Sequence, residues 1–434
     1  MVGSSTAAPT VGCVDVRTPR TRATTRVFYP AAAGAAAASF PTASLLPRRG
    51  GALYAAQLVR FGLCAHDLPR GSLRRRAADA LCGAAGLLMR AAASAFPSSF
   101  ASGAGVDVRA GAPPAEGGAR LPAVVFAHGL GGNRALYSGL CARVAAAGFV
   151  VAAVEFTDGS ASNAEVASDA GGGALGGDGF LRYAGTVSLK RRREQQDERL
   201  AQCLDAVELL EAVGAGGMAG VAEGLVDRGG AVALDALRGR VDASRALLMG
   251  HSFGGLTAAR AVAREERFVA AAALDPWLVA LESEGDFGGA TPKPLLVIMS
   301  EWNDWWREDH YSPPAHPPGC NKTTVREMWE ARAGRAGGRG RHDDKWFVRA
   351  PGTTHKTATD LPFLPVPGFL KSVSGGVTAA RKVGLEEAID GYAAMVVGFF
   401  ADRLLEEVEG KEAGAFDLAR ARFERLLDGD GLSS

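Results

Sequence analysis

Residues 241–260 read VDASRALLMGHSFGGLTAAR, and this stretch decides the fold. Residues 245–249 are a short apolar strand, and residues 256–262 are the Ala-rich start of a helix. Between them lie Gly250, His251, Ser252, Phe253 and Gly254. A turn that joins a strand to a helix this tightly needs small residues two before and two after the serine, because side chains there would collide with the neighbouring strand and helix. Such an elbow lifts the Ser252 hydroxyl above the sheet edge. The amide of Phe253, at the helix N-terminus, is then aimed at negative charge forming beside that hydroxyl. On these five residues alone, a structural turn in another α/β protein remains an alternative.

Working outward, residues 121–127 are apolar on both faces, as in a central parallel strand, and run into His128, Gly129, Leu130, Gly131 and Gly132. A helix over 136–147 and a strand over 149–155 complete a βαβ unit. The His-Gly-rich turn lies where an α/β hydrolase places its second oxyanion amide, which makes Leu130 the candidate donor. Beyond the elbow, strands are expected at 268–274, 294–300 and 345–348, with closing helices at 386–408 and 416–427. Before it, residues 11–16 and 26–29 read as an antiparallel pair at the N-terminal edge. The pattern predicts one α/β-hydrolase domain over 11–430, with a mostly parallel sheet flanked by helices. Low-complexity loop insertions are expected near 31–50, 160–180, 214–230 and 331–344, the second of them flexible, and residues 1–10 as a flexible N-terminus.

A serine hydroxyl is a weak nucleophile until a base takes its proton, most often a histidine oriented by a carboxylate. In this fold the chain order is serine, acid, histidine. His310, His316 and His342 sit in Pro-rich or Gly/Arg-rich loops, whereas His355 follows a strand directly. Two acids compete for the middle position. Asp275 ends the first strand after the elbow and Asp304 follows the second, and bare topology leans toward Asp304.

Composition narrows the partners. The chain has 434 residues, 47% of them hydrophobic, and a formal net charge of +1, which argues against an electrostatic nucleic-acid partner. Its six cysteines form no CxxC pair, so neither a metal site nor any cofactor is expected. The charged run from Lys190 through Arg193 to Glu194, Asp197, Glu198 and Arg199 reads as a solvated helix face. No secretion signal or transmembrane segment is expected, which suggests a cytoplasmic protein, peripheral at membranes if it meets them. Residues 73–96 read as a helix with Leu81, Ala85, Leu88, Ala92 and Phe96 on one stripe. Spacing alone favours packing of that stripe against the protein, while its basic and apolar mix also permits a helix lying on lipid through residues 81–96.

The segments VGCVDV, RVFYP, VVFAHGLGGNRALYSGL, GFVVAAVEFTDGSAS, LLMGHSFGG, FVAAAALDPW, PLLVIMSEW and GTTHKTATDLPF occur in that order. Together they resemble the plasma and type II intracellular platelet-activating factor acetylhydrolases, the group VII phospholipases A2. The resemblance implies Ser252 as nucleophile, Asp275 as acid, His355 as base, and the amides of Leu130 and Phe253 as oxyanion hole. It also implies calcium-independent hydrolysis of the sn-2 ester of phospholipids with short or oxidised acyl chains, and an apolar lipid-facing helix near residues 81–96. Segments 171–179, 214–220 and 334–341, and Trp302, Trp305 and Trp306, depart from the family. A general carboxylesterase, lipase or polyester hydrolase of the same fold, or a non-catalytic lipid-binding protein, are the alternative readings.

Overall fold

The computed structural model describes residues 10–32, 34, 39–62, 68, 71–166, 179–185, 187–217, 224–226, 230–278, 280, 293–300, 345–350, 352–363 and 384–409. Asp304, His310, His316, His342, the three tryptophans at 302, 305 and 306, the helix expected at 416–427 and the insertion near 331–344 lie outside the described residues.

The chain enters through β1 (Thr10–Arg17) and β2 (Thr24–Pro30), which pair antiparallel with Val14 opposite Val27. Next come helices α1 (Gly51–Gly62) and α2 (Leu73–Ala95) and strand β3 (Asp107–Ala110). β4 (Leu121–Ala127), α3 (Ser138–Ala146) and β5 (Val150–Val154) form the expected βαβ unit. A two-stranded ribbon of β6 (Asn163–Glu165) and β7 (Phe180–Arg182) precedes the long α4 (Leu189–Ala215) and short α5 (Gly230–Asp235). β8 (Val241–His251) leads through the elbow into α6 (Phe253–Arg264), followed by β9 (Phe268–Leu274), β10 (Leu295–Ser300), β11 (Lys345–Ala350) and α7 (Leu385–Glu409). Among the described residues, nine strands form one sheet in the order β11-β10-β9-β8-β4-β5-β2-β1-β3. β4, β5 and β8 to β11 run parallel, and β2 joins β5 antiparallel. This is the α/β-hydrolase architecture, with one strand, β3, lying outside the β1–β2 pair and parallel to β1.

Strand alternation feeds two cores. Ala123, Val125 and Ala127 of β4 face the layer built by α4 and α6, while Val124 and Phe126 face that of α3 and α7. Both faces are covered, which is why the central strands read as unbroken apolar runs. Each fully buried Val, Leu or Phe contributes about 1.5–3 kcal/mol to that arrangement.

Three expectations change in detail. Residues 160–165 are buried rather than a flexible loop, because Ser160 and Ser162 hydrogen-bond the Gly131 amide and the Gly132 carbonyl, each at 2.8 Å. Residues 167–178 lie outside the described set. The charged start of α4 is not wholly a solvated face: Arg192 and Arg199 point inward, with Arg199 completely buried, while Asp197 and Glu198 stay near solvent. Of the expected stripe along α2 and its C-cap, Ala92 packs on a small core with Tyr54 and Ala93, whereas the large members Leu81, Leu88 and Phe96 do not pack on the protein. These residues are 62%, 72% and 65% exposed, and the face turned inward is Cys82, Gly86 and Ala93. The reason is steric, since a Cβ on Gly86 would stand 2.4 Å from the Ala52 carbonyl oxygen, so α1 is crossed closely only by a small-residue face.

Candidate active site

The elbow has the predicted shape, for the predicted reason. Ser252 sits between β8 and α6 at φ 57° and ψ −118°, a conformation that costs a non-glycine residue about 1–3 kcal/mol and persists only where surroundings over-determine it. They do so through glycine: a Cβ on Gly250 would lie 2.1 Å from the Gly254 carbonyl oxygen, and one on Gly254 would lie 2.0 Å from that of Ala127. The Ser252 amide donates to Leu274 at 2.9 Å, and its carbonyl accepts from Gly255, Leu256 and Trp277 at 2.9, 3.2 and 2.8 Å. With both backbone groups tied, the side chain is left as the variable part.

Facing it is the turn after β4. A Cβ on Gly129 would come within 3.0 Å of the Ser252 Cβ, so HGLGG abuts the elbow and bulk is excluded there. The Gly129 amide donates to the Tyr137 hydroxyl at 3.1 Å, and that hydroxyl meets His251 Nδ1 at 2.9 Å. Tyr137 therefore ties the turn to the residue next to Ser252. Burial, with the neighbouring His355 second, holds His251 down at about 3, so it is a neutral ring at ordinary pH. Leu130 follows Gly129 in this turn, and Phe253 opens α6, where helix amides carry no intrahelical partner.

The acid and the histidine arrive from the two strands beyond. β9 ends at Leu274, and Asp275 takes up φ 44°, a left-handed conformation that Asp tolerates better than most residues. Leu274 lies opposite Ile298 in the parallel register, so the end of β10 stands beside Asp275. Ser300 accordingly donates its amide to Oδ1 at 2.7 Å and its hydroxyl to Oδ2 at 2.5 Å. His355 Nδ1 meets the same Oδ2 at 3.2 Å. Burial pushes Asp275 up, but the hydrogen bond and charge of His355 and the two Ser300 donors outweigh it and keep the carboxyl below its usual range. The His355 ring packs on His251 with centroids 4.5 Å apart.

The loop carrying His355 is braced on both sides. Thr353 donates to the Ala350 carbonyl at 2.6 Å and accepts from Tyr392 of α7 at 2.9 Å. Asp360 accepts from the Gly139 amide at 2.9 Å, and burial pushes its carboxyl up to about 7 despite the opposing bonds from Gly139 and Gly103.

Ser252, Asp275, His355 and the Leu130 turn, four segments distant in sequence, thus converge at one end of the parallel strands. Asp275 is the acid found on His355, and Asp304 lies outside the described residues. A strained serine whose chain neighbour His251 packs on an imidazole held at Nδ1 by a carboxylate is suited to nucleophilic attack on a carbonyl. His251, Asp275 and His355 also each offer a ligand atom within 4.8 Å of one another, the spacing a cation needs. Asp275 there already accepts from three donors and His251 Nδ1 meets Tyr137, while the buried His251 Nε2 has no hydrogen-bond partner among the described residues. Ser300, Tyr137 and Arg199 escaped the sequence reading. Ser300 alone left a signal, as the last residue of an apolar strand adjacent to the one ending in the acid.

The profile of the family described as platelet-activating factor acetylhydrolase, isoform II, matches residues 87–399, a span holding every residue just described. The platelet-activating factor acetylhydrolase of Cavia porcellus is 32% identical over 190 residues, which is 44% of this chain and 42% of that one. The Gallus gallus protein of the same name is 33% identical over 200 residues, 43% of this chain and 46% of its own. The chain spans less than half the length of these curated relatives. Among solved structures, a ferulic acid esterase from Streptomyces cinnamoneus aligns over 96% of this chain and 95% of its own, with a TM-score of 0.49 and 18% identity. With most of its length matched, the chain belongs to the platelet-activating factor acetylhydrolase, isoform II, family.

Proposed function

We propose that the protein is a serine lipid-ester hydrolase working through an acyl-enzyme. His355 takes the Ser252 proton as the hydroxyl oxygen attacks the ester carbonyl. The amides of Leu130 and Phe253 hold the oxyanion, and the proton passes from His355 to the departing alcohol. Water, deprotonated by the same imidazole, then releases the acid. Asp275 keeps His355 in the tautomer with Nδ1 protonated and Nε2 free to accept. The observation that carries this reading is the His355–Asp275 pair packed on His251, next in sequence to a strained serine, in a chain of this family.

The substrate class is the sn-2 ester of phospholipids with short or oxidised acyl chains, cleaved without calcium. Its support is the family membership together with the outer face of α2. There Leu73, Leu81, Leu87, Leu88 and Phe96 stand 62–83% exposed, an apolar face suited to lying on lipid rather than crossing it. No helix among the described residues is long and apolar enough to cross a membrane.

An organophosphonate probe is expected to label the wild type and leave folded Ser252→Ala unlabelled and inactive, with wild-type turnover persisting in excess EDTA. Labelling of Ser252→Ala would remove the nucleophile assignment, and a calcium-restored loss in EDTA would remove the metal-free mechanism. Comparing short and long sn-2 phospholipids with a soluble aryl ester separates the phospholipid reading from a general carboxylesterase.

A further inference from the structure

α4 places a fully buried arginine directly behind the two loops that carry the oxyanion amides. Arg199 Nη1 donates to the His128 carbonyl at 2.6 Å, Nη2 to the Ser160 hydroxyl at 2.7 Å, and Nε to the same hydroxyl and to Asp158 Oδ2, both at 3.1 Å. The Ser160 carbonyl in turn accepts from the Gly131 amide at 2.8 Å. Leu130 is therefore bracketed, with the carbonyl two residues before it held by Arg199 directly and the amide just after it held through Ser160. The guanidinium carbon also lies over two aromatic rings, 4.6 Å from the Phe253 centroid and 4.2 Å from that of Phe156. One turn earlier in α4, Gln196 donates to the Phe253 carbonyl at 3.0 Å and accepts from Thr257 at 2.9 Å.

We propose that Arg199 is the positioning residue of the oxyanion hole, setting the distance between the Leu130 and Phe253 amides by gripping both loops at once. This rests on the Ser252 reading above. A buried ion pair alone would satisfy Asp158 with a single contact, and such pairs are weak devices for stability. What the arrangement adds is a planar fork that reaches a carbonyl, a hydroxyl and a carboxylate while its carbon lies over the ring of the residue that carries the second amide. Lysine, a point charge on a flexible stem, cannot do all of these. Oxyanion stabilisation depends on donors held about 2.7–3.1 Å from where charge develops, so a loop displaced by a fraction of an ångström weakens the transition state and leaves ground-state binding alone.

Two variants test this. Arg199→Lys keeps the charge beside Asp158 and loses the fork, and Ser160→Ala removes the hydroxyl two guanidinium nitrogens share without touching any charge. Folded sites are counted by phosphonate labelling, and kcat per labelled site, KM and inhibition by a trifluoromethyl ketone, whose adduct places an oxyanion in the hole, are measured on a soluble ester. For Arg199→Lys we expect kcat per site to fall about 30- to 300-fold, ketone affinity to fall in proportion, and KM to stay within about threefold. For Ser160→Ala we expect a fall of about 3- to 10-fold with the same split. Lowered thermal stability with kcat per site and ketone affinity unchanged in Arg199→Lys, or in Ser160→Ala should the lysine protein not fold, would show a core arginine and overturn the proposal. Failure of the Ser252 reading looks different, since a wild type that the phosphonate does not label gives no sites to count in any variant.

Discussion

The site around Ser252 and the outer face of α2 are opposite solutions to the placing of side chains. Around Ser252 nearly every polar atom is engaged: Asp275 accepts three hydrogen bonds, Tyr137 joins Gly129 to His251, and the completely buried Arg199 reaches His128, Asp158 and Ser160. On α2 the side chains that would ordinarily form a core stand in solvent, with Leu88 72% exposed. The difference separates two tasks. At the Ser252 site, geometry must survive the reaction, so groups are held by directional bonds and a strained backbone; on the helix face, affinity comes from apolar area that finds its partner elsewhere. A change at the Ser252 site should alter the chemistry whatever the physical state of the substrate. One on the helix face should be felt only when substrate is presented in an aggregate.

The largest effect should come from Asp275. Asp275→Asn preserves the shape of the carboxyl but loses control of the His355 tautomer, a change that costs about 10⁴-fold in turnover in a serine protease triad. A loss of several orders of magnitude is expected on soluble ester and on vesicles alike, with folding intact. Asp304→Asn, by contrast, is expected within about tenfold of wild type, as for a residue outside the triad. The reverse ranking would transfer the acid's role to Asp304.

On the other side of the comparison, Leu81→Glu with Leu88→Glu should weaken binding to phospholipid vesicles at least about tenfold, since each leucine withdrawn from contact forfeits part of its 1.5–3 kcal/mol. Turnover of a soluble ester should stay within about twofold. Met89, which packs on the small core beneath α2 with Tyr54 and Ala93, is the internal contrast, and its change to Glu should cost stability instead. Joint collapse of folding and soluble-ester activity in the Leu81/Leu88 variant would make that face structural and erase the division.

The smallest effect concerns the brace between the His355 loop and α3. Asp360 has its value raised by burial to about 7, above that of an unfolded chain. Its protonated form therefore stabilises the fold fully below about pH 4, and that contribution is lost as pH rises through about 7. Asp360→Asn carries no such titration. Between about pH 5 and about pH 8 the wild-type Tm should accordingly drop by a few degrees relative to the variant. Parallel curves would mean that the Asp360 carboxyl is not raised and is already ionised in the folded protein at about pH 5.

What the sequence determined by itself is what local sterics and short-range order control. A serine flanked at two residues either side by glycine, between an apolar strand and an Ala-rich helix, has few alternatives to the elbow, and Gly250 and Gly254 are in contact there as their small size requires. Apolar runs such as residues 121–127 and 268–274 could only be central strands, because no solvated face was available to them. Chain order and the HGLGG turn were likewise legible, since in a parallel sheet the residue after each strand emerges at the same end.

What only the tertiary structure decided is direction and partnership across long separations. Arg199 and Asp197 sit two apart on one helix and carry equally strong charge, yet one is buried and the other lies near solvent, because the first faces Asp158 and the loop after β5. The periodicity of α2 showed one stripe, Leu81 to Phe96, for packing or for lipid, and the close crossing with α1 at Gly86 instead placed the small-residue face of Cys82, Gly86 and Ala93 inside. The choice of Asp275 for His355, eighty residues on, depended on β10 lying between β9 and β11 and supplying Ser300 to hold the carboxylate. Such choices are free-energy differences between packed alternatives, and the atoms that decide them come together only when the sheet has formed.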